Sequence, residues 1–336
     1  MAENKLFNNY LSIYLANLKN SSKKNHDELE IRFGTKFWNP ITRINFENVI
    51  QKIKSSGWSL LNTDNDYTLK IQNEYITTDG TKRLSNIRTE IAGLKNIQQY
   101  CKSDNIKKID ETNVHYQKKR NKTNENDEKL EPIDFDNFHF RVNYKEEIAL
   151  NKKWDQVKAI SENWTENKKT FRLVKRFSYQ KPGFPFRIDC SVVKSSKKNR
   201  NYLIPEYKIE QSNVFNNTET YEIEIELLND KNHFYVNKRD KLMALIKNTI
   251  KLVLSGLQET NFPISYNECD LALKQYYSLV HVGEKYENKK INPKDFLGPS
   301  SISLEMSNII SNDLNSSEPN INNSYTVTEK ADGQRK

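Results

Sequence analysis

Two glutamate ladders constrain this 336-residue chain more than anything else in it. The first reads Glu28-Leu29-Glu30-Ile31-Arg32-Phe33, and the second Tyr221-Glu222-Ile223-Glu224-Ile225-Glu226-Leu227. A β-strand places residues i, i+2 and i+4 on one face, about 6.6–7 Å apart. Glu28, Glu30 and Arg32 therefore share a face, as do Glu222, Glu224 and Glu226, and both strands keep an apolar face behind. A half-solvated antiparallel sheet accounts for one such strand. Two are harder to explain that way, because glutamate is a poor strand residue and stacked carboxylates need a cation or a basic lining.

The strands between the ladders carry the opposite charge by the same alternation. Arg141, Asn143 and Lys145 share a face in FRVNYKEEI, Arg172, Val174 and Arg176 in TFRLVKRFSY, and Arg187, Asp189 and Ser191 in FRIDCSV. Arg88 stands opposite the Ile87 side of SNIRTEI. If these faces point into one barrel, its lumen holds a carboxylate floor and a cationic wall. Such a lumen does not stay empty and dry, since unpaired buried charge is costly. It suits a divalent cation with a polyphosphate.

Periodicity places the remaining elements. Apolar residues from Leu6 to Leu18 recur at helical spacing, 43–56 reads as a helix ended by the Ser-Ser-Gly at 55–57, and 95–103, 151–163 and 238–257 read as further helices. Residues 66–76 and 83–92 form a hairpin about Asp79-Gly80. Strands are expected at 28–33, 138–149, 170–180, 185–194, 203–212 and 220–228, and 103–131 reads as a long exposed connection. The sum is an α+β, mainly antiparallel fold: about eight strands in a closed or nearly closed sheet, with helices packed outside.

Lys plus Arg outnumber Asp plus Glu by 53 to 44, an excess that suits a polyanionic partner. Three scattered cysteines, Cys101, Cys190 and Cys269, argue against a disulfide framework and a cysteine zinc site, and fit a reducing compartment. The N-terminal stretch is broken by Asn and Lys and reads neither as a signal peptide nor as a membrane span.

ELEIRFG paired with YEIEIEL, around strands bearing Arg and Lys, resembles the triphosphate tunnel metalloenzymes, and among them the RNA 5′-triphosphatases of viral and fungal capping enzymes. The resemblance spans roughly 25–230. It implies an eight-stranded tunnel that removes the γ-phosphate of 5′-triphosphate RNA with Mn²⁺ or Mg²⁺, with nucleoside triphosphates as surrogate substrates. Carried over by motif, Glu28, Glu30 and Glu226 would ligate the metal, while Glu222, Glu224 and Asp189 would hold metal-bound water or the attacking water. Arg172, Arg176 and Arg187 would contact phosphates, Arg176 also counting among the catalytic set, with Arg88, Arg141 and Lys145 as further partners. Val174 departs from the fungal pattern, which has a basic residue there.

The end of the chain, YTVTEKADGQRK, resembles the Lys-x-Asp-Gly-x-Arg motif of guanylyltransferases and polynucleotide ligases, present as Lys330, Asp332, Gly333 and Arg335. FLGPSSISLEMSNI resembles the segment that precedes that motif in viral capping enzymes. The expected organisation is a triphosphatase domain over 1–260, a linker over 261–324 and the start of a guanylyltransferase domain at 325–336. Lys330 would be that domain's nucleophile, inactive here without its nucleotide pocket, and the resemblance implies host cytoplasm or a virion. Two other readings stay open: a tunnel enzyme acting on nucleoside or inorganic triphosphate, and a non-catalytic polyphosphate- or RNA-binding module.

Overall fold

In the computed structural model the alternating stretches become eight strands that close on themselves. The structure describes residues 2–20, 26–36, 39–61, 66–124, 127–199, 202–230, 233–280, 304–310 and 320–322. The strands are β1 (His26–Phe33), β2 (Tyr67–Ile76), β3 (Ile87–Ala92), β4 (Val114–Asn121), β5 (Phe140–Ala149), β6 (Lys169–Gln180), β7 (Phe186–Ser195) and β8 (Thr220–Leu227). Around the barrel they run β1-β5-β4-β3-β2-β6-β7-β8 and back to β1, every neighbour antiparallel. Closure is made by β2 on β6, in register from Tyr67 opposite Lys175 to Asn73 opposite Lys169.

Directly opposed residues in an antiparallel pair face the same side. The register therefore carries one lumen face round the whole barrel. Glu30 stands opposite Glu226 and Asn143, Glu224 opposite Asp189, Ser191 opposite Arg176, and Arg172 opposite Lys70. Eight strands leave an interior that side chains largely fill.

The outward faces are apolar and covered by helices. α1 (Ala2–Asn20), α2 (Arg43–Ser55) and α5 (Arg239–Leu257) close a first cluster over β1, β5, β7 and β8, which includes Leu29, Ile31, Val142, Ile188, Ile223 and Ile225. α3 (Leu94–Ser103) and α4 (Asp155–Glu162) contribute Ile97, Tyr100 and Val157 to a second, with Leu69, Ile71, Ile91 and Phe171 of the barrel. Each such side chain taken fully from water contributes about 1.5–3 kcal/mol. Phe7, Tyr10, Leu11, Tyr14, Leu15 and Leu18 of α1 are buried as their spacing predicts, whereas Leu6 is 48% exposed. α2 begins with a capping box between Thr42 and Asn45 and ends at Ser55, with Gly57 at φ +83°. The turn at Asp79-Gly80 also forms as expected, Gly80 taking φ +80°.

Two expectations are corrected. Residues 103–131 hold a barrel strand, β4, where a connection was expected. Residues 203–212 form no long strand: Tyr202–Leu203 pairs only with Lys198–Asn199, and the chain then turns through 206–217. The helix expected over 238–257 forms as α5 and ends at Leu257, one residue past Gly256. Gly256 itself lies against α2, in a contact that leaves no room for a side chain.

The chain divides into two compact units, Met1–Cys269 and Asp270–Lys336. In the second, the described residues hold most of α6 (Tyr266–Val280) and a short 3-10 turn at Met306–Asn308. Lys330 and its motif lie outside the described residues. Among those residues, no helix is long and apolar enough to cross a membrane.

The contact between α2 and α5 is testable at Gly256. A Cβ built there would stand 2.7 Å from the Cα of Val49, which is backbone and cannot swing away. Gly256→Ala should cost about 1–3 kcal/mol by overpacking and lower the melting temperature by several degrees. A melting curve identical to the wild type would show that the helices can separate freely.

Candidate functional site in the barrel lumen

The lumen divides into an acidic wall and a basic wall. β1 and β8, adjacent in the barrel, supply Glu28, Glu30, Glu222, Glu224 and Glu226. Arg187 and Asp189 of β7 and Arg172 and Arg176 of β6 face them on one side. Lys145 of β5 stands opposite Glu28 on the other. All these sequence-predicted residues occupy the one face, as does Arg88 of β3. Val174 faces the same lumen, opposite Thr68 and Val193.

Most of the charges meet in pairs. Arg32 joins Glu222 at 2.9 Å and Glu224 at 3.2 Å, and Arg172 binds the other oxygen of Glu222. Arg176 reaches Asp189 at 3.2 Å and Glu224 at 4.0 Å. Arg187 spans Asp189 at 3.0 Å and Glu226 at 2.8 Å. Asp189 also accepts from the Ser178 hydroxyl at 2.7 Å, so this fully buried carboxylate is fixed from three sides. The Nε of Arg172 is buried with no hydrogen-bond partner, so its N–H can donate to one more oxygen.

Lys119, Lys70 and Glu90 are lumen groups that escaped the sequence reading. Lys119 of β4 binds both oxygens of Glu28 at 2.6 Å and reaches Glu147 at 3.4 Å. Lys70 of β2 and Arg88 converge on Glu90 of β3, at 3.4 and 3.3 Å. Asn143, which the alternation already placed on this face, donates to Glu30 at 2.9 Å. The signal for Lys70 was present, since Thr68, Lys70 and Gln72 alternate with Leu69 and Ile71. Arg141 is drawn aside: its guanidinium forks onto Asp134 with two 2.8 Å bonds.

The carboxyls do not share one environment. Burial would push Glu224 up, but Arg32, Arg176, Lys119 and Arg172 together hold it below the ordinary carboxylate range. Burial pushes Glu30 well above that range, helped by the charges of Glu224 and Glu28. Burial likewise lifts Glu226 to about 7, against the pull of Arg187. Glu30 and Glu226 stand opposite each other on adjacent strands, Glu226 paired among the described residues with Arg187 alone and Glu30 held by the neutral amide of Asn143. Among the described residues no three acidic or other ligating side chains already converge as a metal site. The donor chemistry nevertheless fits a hard divalent cation, being all carboxylate oxygen with an unmet demand for positive charge at Glu30 and Glu226.

No family model matches the sequence, and no curated protein matches it. Among solved structures, the chain is similar to the Pct1 RNA triphosphatase of S. pombe, with TM-score 0.38 and 13% identity over 80% of this chain and 90% of that one. It is also similar to the same enzyme in complex with the Spt5 CTD, with TM-score 0.37 and 13% identity over 76% and 91%. These similarities are distant, and the functional reading rests on the tunnel's own side chains.

The raised carboxyls carry a pH signature. A folded-state value above the unfolded 4.5 favours the folded state fully in acid, and that contribution is lost as pH rises towards about 7. In the absence of divalent cations, these groups should make the chain melt higher near pH 5 than near pH 8. Glu30→Gln, which keeps the acceptor for Asn143 without the charge, should raise the pH 8 melting temperature by roughly a few degrees and flatten the dependence. A lower melting temperature at pH 8 would show that Glu30 is already compensated.

Proposed function

We propose that the barrel is a divalent-cation-dependent RNA 5′-triphosphatase, releasing the γ-phosphate of 5′-triphosphate RNA as the first step of mRNA capping. One observation supports this above the others: a single closed lumen sets five glutamates of β1 and β8 beside arginines of β6 and β7. A carboxylate wall alone would suit a cation and an arginine wall alone would suit an anion. The two together suit a polyphosphate bound with its metal.

Phosphoryl transfer requires positioning and charge neutralisation more than covalent help from the protein. The guanidiniums of Arg172, Arg176 and Arg187 are planar forks that match phosphate oxygens, and each now holds a carboxylate that an entering phosphate would relieve. Lys145 and the Lys70–Arg88 pair add cationic charge on the remaining walls. Glu224, kept ionised, is suited to accept a hydrogen bond from water and hold it in line with the γ-phosphorus. Water oxygen then bonds to that phosphorus while the bond to the bridging oxygen breaks, leaving a diphosphate end. Asp189, fixed by Ser178, Arg176 and Arg187, keeps two of these forks in place. Glu28, Glu30 and Glu226 would hold a Mn²⁺ or Mg²⁺ ion, which when bound supplies Lewis-acid stabilisation of the phosphate oxygens.

The capping assignment draws on the resemblance at Lys330, Asp332, Gly333 and Arg335, whose lysine would serve a guanylyltransferase domain of the same protein. On this reading residues 1–260 form the triphosphatase unit and 261–324 the connection.

The decisive measurement is phosphate release from γ-labelled triphosphate RNA, with and without Mn²⁺ or Mg²⁺. Release should require the cation. Glu28→Ala, Glu30→Ala and Glu226→Ala should each reduce it by roughly a hundredfold or more, a few kcal/mol of transition-state stabilisation. Near-normal turnover in all three folded variants would refute the mechanism. Hydrolysis of free nucleoside or inorganic triphosphate without any preference for RNA would move the chain to a small-molecule enzyme, and no hydrolysis at all would leave a binding module.

A further inference from the structure

At one rim of the barrel the lumen wall runs on into an exposed basic and aromatic surface. β7 ends at Ser195, the register partner of Arg172, and the chain continues along the start of β6. Ser196 donates its N–H to the Phe171 carbonyl at 2.8 Å. Glu206 and Lys169 then exchange both backbone bonds, at 2.8 and 2.9 Å. That register brings Tyr207 to Lys168, whose ammonium lies 5.3 Å from the centre of the tyrosine ring. Lys168 stands two residues from Thr170 and four from Arg172, so it continues their face of the strand past the rim.

The surface beyond is open. Tyr207 is 48% exposed and Tyr202 80%. Lys197, Lys198 and Lys208 around them are exposed as well, while Glu206 beside them is half-buried. An 80% exposed tyrosine on a two-stranded ribbon contributes little to folding, and nothing in either apolar cluster requires it. Aromatic rings among lysines form the surface that takes single-stranded nucleic acid: bases stack on the rings and phosphates meet the ammoniums.

We propose that this rim, made by Lys168, Lys197, Lys198, Tyr202, Tyr207 and Lys208, binds the single-stranded RNA chain behind the triphosphate while the triphosphate end lies in the lumen. The proposal rests on the reading above and adds to it the source of RNA preference. A nucleoside triphosphate fills the lumen alone, whereas an RNA also occupies the rim. The two substrates therefore differ in KM and much less in kcat, because contacts remote from the γ-phosphate are the same in ground and transition state.

The test uses the whole chain and two assays. In the first, fluorescence anisotropy follows binding of a 5′-hydroxyl single-stranded RNA of about twelve nucleotides, which has no triphosphate to engage the lumen. Tyr202→Ala and Tyr207→Ala should each weaken binding roughly tenfold, while Tyr207→Phe, which keeps the ring, should bind as the wild type does. The double variant Lys197→Ala/Lys198→Ala should reduce the slope of log K against log salt by about 1 to 2. In the second, the tyrosine variants should raise KM for triphosphate RNA and leave hydrolysis of free ATP unchanged.

The two readings fail separately. If the chain releases no phosphate yet loses RNA affinity in the tyrosine variants, the triphosphatase reading falls and the rim assignment stands. Unchanged RNA binding in both tyrosine variants overturns the rim assignment, as does an equal loss of RNA and ATP turnover. An acidic peptide such as poly-glutamate that binds as tightly as RNA, with the same response to the tyrosine variants, overturns it too.

Discussion

Everything in this barrel depends on unlike charges being enclosed together. Desolvating an ion is expensive, and attraction to a partner recovers that cost only when geometry is good and further hydrogen bonds satisfy both groups. The lumen meets this condition by sharing. Arg32 serves two glutamates, Arg176 and Arg187 each serve two carboxylates, and Asp189 receives two guanidiniums and a hydroxyl. Glu30 and Glu226 are where this sharing runs short, and their raised carboxyls mark the place. On the proposed reading, that is where a cation would bind, between the two acidic strands.

The part of this arrangement legible in the sequence was the part written as strict alternation. In β1, β6, β7 and β8 the odd and even positions differ in polarity at most places, so that the face of most residues follows from their numbers, Asp27, Lys175, Val174 and Val193 being exceptions. β4 was hidden for a physical reason. In VHYQKKRN only Val114 and Tyr116 are apolar and buried on the outer face, and from residue 117 onward both faces carry polar side chains. A strand needs little apolar alternation when its neighbours supply the ladder on both sides, as β3 and β5 do here. Its lumen residue Lys119 was lost with it, and so was the partner of Glu28.

The opposite error at 203–212 has the complementary cause. LIPEYKIE alternates well enough to suggest a strand, yet only Leu203, with Tyr202 before it, joins a ladder, Glu206 makes a single bridge to Lys169, and Ile209 is buried through a turn. Alternation reports which residues want cover, and a turn can supply cover as well as a sheet. The count of eight strands was therefore reached with one true strand missing and one false strand included. Pairing, which depends on residues far apart in the chain, decided between them.

A charged lumen also changes where stability comes from. An ordinary small barrel fills its interior with apolar side chains, but here the interior is ionic and contributes little hydrophobic burial. The apolar clusters lie outside the strands, one under α1, α2 and α5 and one beside α3 and α4. Helices at these positions supply the core that the lumen cannot contain. One consequence is a separation of roles by strand face. Ile31, Ile188 and Ile225 hold the fold from the outer face, while their neighbours Glu30, Asp189 and Glu226 carry charge on the inner one. Charge in the lumen can then be rearranged by a substrate or a cation without loosening the packing that keeps the strands in register. A binding site built from mutually dependent ions needs that independence, because its own pairs must break whenever it is occupied.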